Sequence, residues 1–325
     1  MARAIIAAMI TALAGGVGAA RLLRGMVKVV PAEELTVVVN TGDDTVLHGL
    51  HISPDVDTVC YTLAGLNDDE RGWGLAGETW TVMTALEQLG GAAWFRLGDH
   101  DLATHLYRTQ RLSEGASLSD VTAELATRMG LRTRMLPMSD DPVRTRITLA
   151  GDGRRVGFQE YFVGMAHSVA VAAVDFEGAE GAHPAPGVLE SIAKSEVVVI
   201  CPSNPVLSIA PMLALPGIDE ALRARRDRVV AISPIVGGAA LKGPADRLLT
   251  ELGEEASVAG VARRYRAVAG TLVIDEVDAP SAASVEAQGV RAVVAPAVMH
   301  GVEEAAALAK VALAAGRNLR TGSGR

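Results

Sequence analysis

The sequence predicts an α/β fold, a Rossmann-like, doubly wound and mostly parallel sheet carrying a helical and β-hairpin insertion. Two apolar runs near the start each end in a polar turn, Gly15-Gly16-Val17-Gly18 and Asn40-Thr41-Gly42-Asp43-Asp44. Between them, Leu22, Leu23, Met26 and Val29 recur at helical spacing until Pro31. The second half returns to the same rhythm, with short apolar runs over residues 197–201, 229–232, 271–274 and 290–295 separated by helical segments. Strands alternating with helices imply a parallel sheet.

Taken in order, the opening run is a buried strand. Its single Arg and small-residue ending also fit a signal peptide, but it leads straight into a glycine turn and an amphipathic helix, as a first strand does. A cytoplasmic protein is therefore expected, and no later run has the length of a membrane span. Residues 35–39 form the second strand. Ser53-Pro54-Asp55 reads as a helix start, with Val59, Cys60, Leu63 and Leu66 behind it. Residues 78–89 carry Trp80, Met83, Leu86 and Leu89 on one face, which makes Trp80 a core residue. Residues 101–112 and 117–129 are further helices, the latter capped by Ser117 and Asp120 and closed by Gly130. Residues 144–149 and 156–163 around Gly151-Asp152-Gly153 read as a hairpin, and 178–187 as a loop. The expected organisation is a nucleotide-binding core from residues 1–45 and 190–315, an insertion over 46–189, and a flexible tail over 316–325.

Composition narrows the function. The chain has 325 residues, 49% of them hydrophobic but only 3% aromatic, so an aliphatic core is affordable. A net charge of −8 argues against nucleic acid or an anionic membrane as partner. Cys60 and Cys201 sit in apolar runs and read as buried thiols, with neither a disulfide framework nor a Cys-rich metal spacing.

Four turns at strand ends converge in such a fold: Gly15, Gly16 and Gly18; residues 40–44; Pro202-Ser203-Asn204-Pro205; and Ser233 to Gly238. A glycine turn lets backbone N–H groups approach a phosphate at a helix N-terminus. Arg21 stands where the dinucleotide fingerprint has its third glycine, and no Gly-Lys-Ser/Thr ending follows, so an ordinary NTPase is disfavoured. A plain strand–helix turn is the bland alternative. Asp43, Asp44, Asp55 and Asp57 each suit a helix cap, but four acids on two successive turns suit a cation held against phosphates. Asp101 and His105 lie one helical turn apart and can pair; no third zinc ligand stands at a recognisable spacing. Ser203, Asn204 and Ser233, in rigid loops after buried strands, are candidate nucleotide contacts.

In this order, Ala14-Gly15-Gly16-Val17-Gly18, Val39-Asn40-Thr41, Ser53-Pro54-Asp55-Val56-Asp57, Leu97-Gly98-Asp99, Pro137-Met138-Ser139-Asp140-Asp141-Pro142, Pro202-Ser203-Asn204-Pro205 and Ser233-Pro234-Ile235 resemble the 2-phospho-L-lactate transferases, some of which are phosphoenolpyruvate transferases, over nearly the whole chain. The resemblance implies a transfer of phospholactate or phosphoenolpyruvate from a guanosine diphosphate-linked donor. The acceptor is a ribityl hydroxyl of the deazaflavin 7,8-didemethyl-8-hydroxy-5-deazariboflavin (Fo), GMP leaves, and the pathway is coenzyme F-420 biosynthesis. It also implies Mg²⁺, a homodimer, and contacts to Fo from Asp57 and Arg96. Asp57 would hold the attacking hydroxyl, by hydrogen bond or through the metal, and Asp43 or Asp57 would ligate the ion. Trp73, Trp80 and the hairpin would wall the flat ring system. Two other readings stand beside it. A nicotinamide-dependent oxidoreductase needs an acid at the end of the second strand, where Asn40 stands. A non-catalytic guanine-nucleotide-binding regulator would bind GDP without turnover.

Overall fold

The structure, a computed structural model, describes residues 9–317; the first half of the opening run and residues 318–325 of the expected tail lie outside it. Seven parallel strands form the central sheet, in the spatial order Arg291–Val294, Thr271–Ile274, Val229–Ile232, Val197–Ile200, Ile10–Ala14, Leu35–Val39, Arg134–Pro137. Their near-continuous apolar composition follows from burial on both faces. Successive side chains alternate: Ile10, Ala12 and Ala14 join one core, Leu13 the other; Val197 and Val199 join the first, Val198 and Ile200 the second.

One face is covered by the helices Gly16–Met26, Pro54–Ala64 and Val302–Arg317, through Leu22, Leu23, Met26, Val59, Cys60, Leu308 and Leu313. Gly25 lets the first and last of these helices touch: a Cβ there would stand 2.3 Å from the carbonyl carbon of Ala305. The other face is packed by Val188–Lys194, Ala245–Glu251 and Val258–Tyr265 and by an antiparallel sheet. Cys60 and Cys201 are buried free thiols, as expected. No single helix among the described residues is long and apolar enough to cross a membrane.

The structure departs from the expected elements in four places, three of them in the middle of the chain. It gives the central sheet its edge strand, Arg134–Pro137, in parallel register with Leu35–Val39. The hairpin pairs Arg144–Leu149 with Arg155–Gly157 only; the chain then closes into a single π turn, Glu160–Gly164, and Val171–Glu177 supplies the third strand. Gly316 and Arg317, expected in the tail, end the last helix. Trp80 is half-buried and precedes its helix, Thr81–Gln88; it meets Trp73 edge-on at 5.9 Å instead of entering the core. The hydrophobic spacing was sound for Met83, which is buried, but a short surface helix has no second layer to cover Leu89, 85% exposed.

Gly25→Ala should lower stability by about 1–3 kcal/mol, because the helix backbones must part to admit a methyl group. Urea denaturation of the two proteins measures it.

Candidate functional site

Strand order reverses between Ile10–Ala14 and Val197–Ile200. In doubly wound sheets the crevice at such a reversal binds ligand. Here the turns after the two strands are tied together. The Gly15 N–H donates to Ser203 Oγ at 3.2 Å. Side chains have no room there: a Cβ on Gly15 would lie 2.6 Å from Ser208 Cβ and 2.7 Å from Asp55 Oδ2, and one on Gly18 would lie 2.4 Å from the Pro202 carbonyl oxygen. Gly16, the first residue of the helix, has a left-handed φ of +71° and gives its N–H to Asp55. Two of the turn's donors are thus engaged by the protein, leaving those of Val17 and Gly18 at a helix terminus, where no intrahelical acceptor exists.

The acids converge around Asn40. Its side-chain amide donates to Asp55 Oδ2 at 3.0 Å and to Asp43 Oδ1 at 3.3 Å, while its Oδ1 accepts from the Gly42 N–H at 2.9 Å. Asp43 and Asp55 are both buried. Gln159, from the hairpin side, fixes the turn by donating to the Asp43 carbonyl at 3.0 Å. Asp44 is half-buried and accepts from Ser53 Oγ at 2.7 Å. Burial, then the charges of Asp55 and Asp44, hold Asp43 well above the usual carboxylate range. Burial lifts Asp44 to about 7 and Asp55 to about 6 against the hydrogen bonds they accept. Asp44 Oδ1 is buried with no hydrogen-bond partner. Carboxylates crowded in this way, with acceptor oxygens unused, form a donor set suited to a hard divalent cation.

Asp57 faces a different neighbourhood. Arg108, from the helix Asp99–Ser113 and fully buried, forms a charge-assisted hydrogen bond to Asp57 Oδ1. The same guanidinium reaches the His51 carbonyl at 3.3 Å and His105 Nδ1 at 3.2 Å. A guanidinium only donates, so His105 Nδ1 accepts and its proton sits on Nε2, 3.4 Å from Asp101 Oδ2. Asp101 also accepts from the Tyr61 hydroxyl at 2.6 Å. Burial raises Asp57 above the usual range, with Arg108 and His105 opposing it. Burial would raise Asp101 too, but the neighbouring His105 and the bond from Tyr61 outweigh it and the carboxyl ends below its ordinary value. Asp57 Oδ2 has no hydrogen-bond partner.

Asp57 approaches Asp101 and His105 from another helix, and the three offer atoms within 4.8 Å of one another. Arg108 already supplies a cation to Asp57. Arg108 itself went unnoticed in the sequence. Its spacing from Asp101 and His105 on one helical face was the available signal, but its partner lies 51 positions away.

The other expected residues divide. Ser203 sits in the crevice as the brace of the glycine turn. Asn204 Oδ1 accepts from the N–H groups of Val206 and Leu207 at 2.9 and 3.1 Å, capping the π turn Pro205–Ile209, so only its amide NH₂ remains for a ligand. Ser233 is buried and spends its hydroxyl within its loop, donating to the Ile235 carbonyl and accepting from the Ile235 N–H. Arg96 lies over Trp80 at 4.6 Å, and Arg71 over Trp73 at 4.9 Å, in an aromatic–cation cluster on the middle segment.

Fold and crevice together place the chain among doubly wound α/β proteins with a polar crevice at the sheet switch point. The chain belongs to the 2-phospho-L-lactate transferase CofD family, whose sequence profile matches residues 10–308. It is 48% identical over 320 residues to a phosphoenolpyruvate transferase of Kitasatospora aureofaciens, covering 97% of this chain and 99% of the relative. It is 40% identical over 301 residues to a 2-phospho-L-lactate transferase of Methanosarcina mazei, covering 93% and 98%. Its fold is similar to that of a solved UPF0052-family protein from Bacillus halodurans, with a TM-score of 0.62 and 19% identity over 95% of this chain and 99% of that one.

Because native Asp55 retains its proton to about pH 6 while an unfolded Asp loses it near 4, its ionisation opposes folding as pH rises through that window. Asp55→Asn should therefore gain stability on the parent by about 1–3 kcal/mol between pH 4 and pH 8 without divalent cations. Denaturation at the two pH values measures the change; a constant difference would contradict the assignment.

Proposed function

We propose that the switch-point crevice is where this protein performs its transfer, with the donor diphosphate at the glycine turn and the attacking hydroxyl at Asp57. The chain is a CofD-family transferase of coenzyme F-420 biosynthesis that moves a lactyl- or enolpyruvyl-phosphate group to Fo. The observation that carries the site reading is the convergence of Asp43 and Asp55 on Asn40, beside a helix N-terminus at the sheet reversal.

Phosphoryl-type transfer asks a protein mainly for positioning and for neutralisation of charge. The N–H groups of Val17 and Gly18, at the positive end of a helix, suit the diphosphate. Asp43 and Asp55, with Asp44 beside them, would hold Mg²⁺, which when bound neutralises phosphate charge and polarises the phosphorus. Asp57 has a different task. Arg108 fixes Oδ1, and the unpartnered Oδ2 accepts the ribityl O–H and directs its oxygen at phosphorus. As the new O–P bond forms, the bond to the GMP oxygen breaks and the hydroxyl proton passes to Asp57 Oδ2. The raised proton affinity of Asp57 suits it to that step. The remaining amide of Asn204 is available to the nucleoside, and Arg96 with Trp80 to the deazaflavin. The relative at 48% identity is named a phosphoenolpyruvate transferase and the one at 40% a 2-phospho-L-lactate transferase, which supports the enolpyruvyl donor here.

Mass spectrometry of the product from Fo, Mg²⁺ and each donor tests the reading. The enolpyruvyl adduct should dominate, and a chelator should abolish both adducts. Asp57→Asn should lower turnover about 10²–10⁴-fold while leaving the GDP dissociation constant essentially unchanged. Parental turnover in that variant would remove Asp57 from the mechanism. Mg²⁺ should raise the melting temperature of the parent and not that of Asp43→Asn, read by calorimetry.

A further inference from the structure

The proposed donor is a polyanion, and the floor of its crevice is lined with carboxylates. Resting on that reading, the question is which cations receive the anionic groups that lie beyond the glycine turn. A small cavity flanks the first helix. Val17, Arg21 and Arg24 line it from one helical face, Thr58 from the second helix, and Gly72 and Trp73 from the middle segment. Lys242, just after the short strand Ala239–Ala240, approaches the same place: its Nζ lies 3.0 Å from the position a Cβ on Gly72 would occupy.

The negative charges nearby are already engaged. Asp69 pairs with Arg24 Nη1 at 3.0 Å and accepts from Asn67 at 2.9 Å. Asp68 pairs with Arg71 at 2.6 Å. Among the described residues, neither Arg21 nor Lys242 has a carboxylate within 4 Å. The Lys242 ammonium is depressed below its ordinary range by partial desolvation first and by the Arg21 charge second. Two cations from distant parts of a chain with net charge −8 thus lie beside one cavity, whose one lining carboxylate, Asp69, is paired with Arg24. Such a juxtaposition costs energy unless an anion joins it.

We infer that Arg21 and Lys242 form an anion subsite that takes a carboxylate or phosphate oxygen of the donor. Arg21 stands five residues beyond Gly16, about 7–8 Å along the helix axis. That separation suits one ligand whose charged groups span both the glycine turn and the cavity. Two groups of the donor have the required chemistry: a diphosphate oxygen, or the carboxylate of the three-carbon acid.

The test uses Arg21→Gln, Lys242→Gln and the double variant, with calorimetric binding of GDP and of the intact enolpyruvyl donor in the absence of Fo. Both side chains are exposed, so the folded state should melt as the parent does. The double variant should bind the donor about ten-fold or more weaker, and Arg21→Lys with Lys242→Arg should recover most of that loss. A parallel loss for GDP assigns the subsite to a phosphate; a loss confined to the donor assigns it to the carboxylate. Unchanged affinity for both ligands would overturn the inference. A parent protein that binds the donor yet makes no product would fault the proposed function instead, and leave these affinities to decide the subsite.

Discussion

Unneutralised negative charge, gathered where the sheet reverses, is the constraint on which the site depends. Asp43 and Asp55 share a single side-chain amide, that of Asn40, and no cation touches them at salt-bridge distance among the described residues. A buried carboxylate left in this condition holds its proton, and both are raised in that direction. Folding alone gains nothing from the arrangement. A cation, or a cation with its phosphates, joining the cluster would relieve that cost, as the proposed site requires.

The scaffold can meet that cost because it is rigid on both faces of the sheet. Every strand of the central sheet is parallel, so its strand ends deliver their turns to one edge, and helices on both faces pack it into two continuous cores. The crevice is then closed by backbone proximity. Gly15 and Gly18 admit Ser208, Asp55 and Pro202 at distances that a methyl group would forbid, and Ser203 ties the two sides with a hydrogen bond. These contacts fix the free N–H groups of the helix terminus relative to the carboxylates, the geometric requirement of an in-line transfer.

Much of this was legible in the residues. Strand, glycine turn and helix announce themselves locally, through apolar runs, Gly and Pro. The acids on two successive turns pointed to one crevice because the fold brings successive strand ends together. What escaped was non-local or ambiguous in period. Arg134–Pro137, given no element by the sequence reading, joins the central sheet because pairing partners are chosen in three dimensions. Arg108 looks like any arginine on an amphipathic helix until Asp57 is placed against it. Ser233 and Asn204 looked like ligand contacts, and both spend acceptor capacity on their own loops. Hydroxyl and amide side chains after a strand have two uses, bracing the backbone or binding a ligand, and sequence alone does not separate them.

The two carboxylate groups of the crevice illustrate how environment assigns roles to identical side chains. Asp55 and Asp57 are two residues apart at the start of one helix, both buried and both carboxylates. The helix turns Asp55 toward Asn40 and the glycine turn, where it meets other acids and no guanidinium. Asp57 is turned toward Arg108 and the His105–Asp101–Tyr61 chain, which settles one oxygen and leaves the other free. A cation shared among acids suits a site that must neutralise phosphate; a carboxylate pinned by arginine at one oxygen suits a site that must receive a hydrogen bond. Reversing the two would place an ion against an arginine and a lone acceptor among acids that already repel it. One helical turn, started by Ser53-Pro54, is enough to give the two carboxylates separate surroundings.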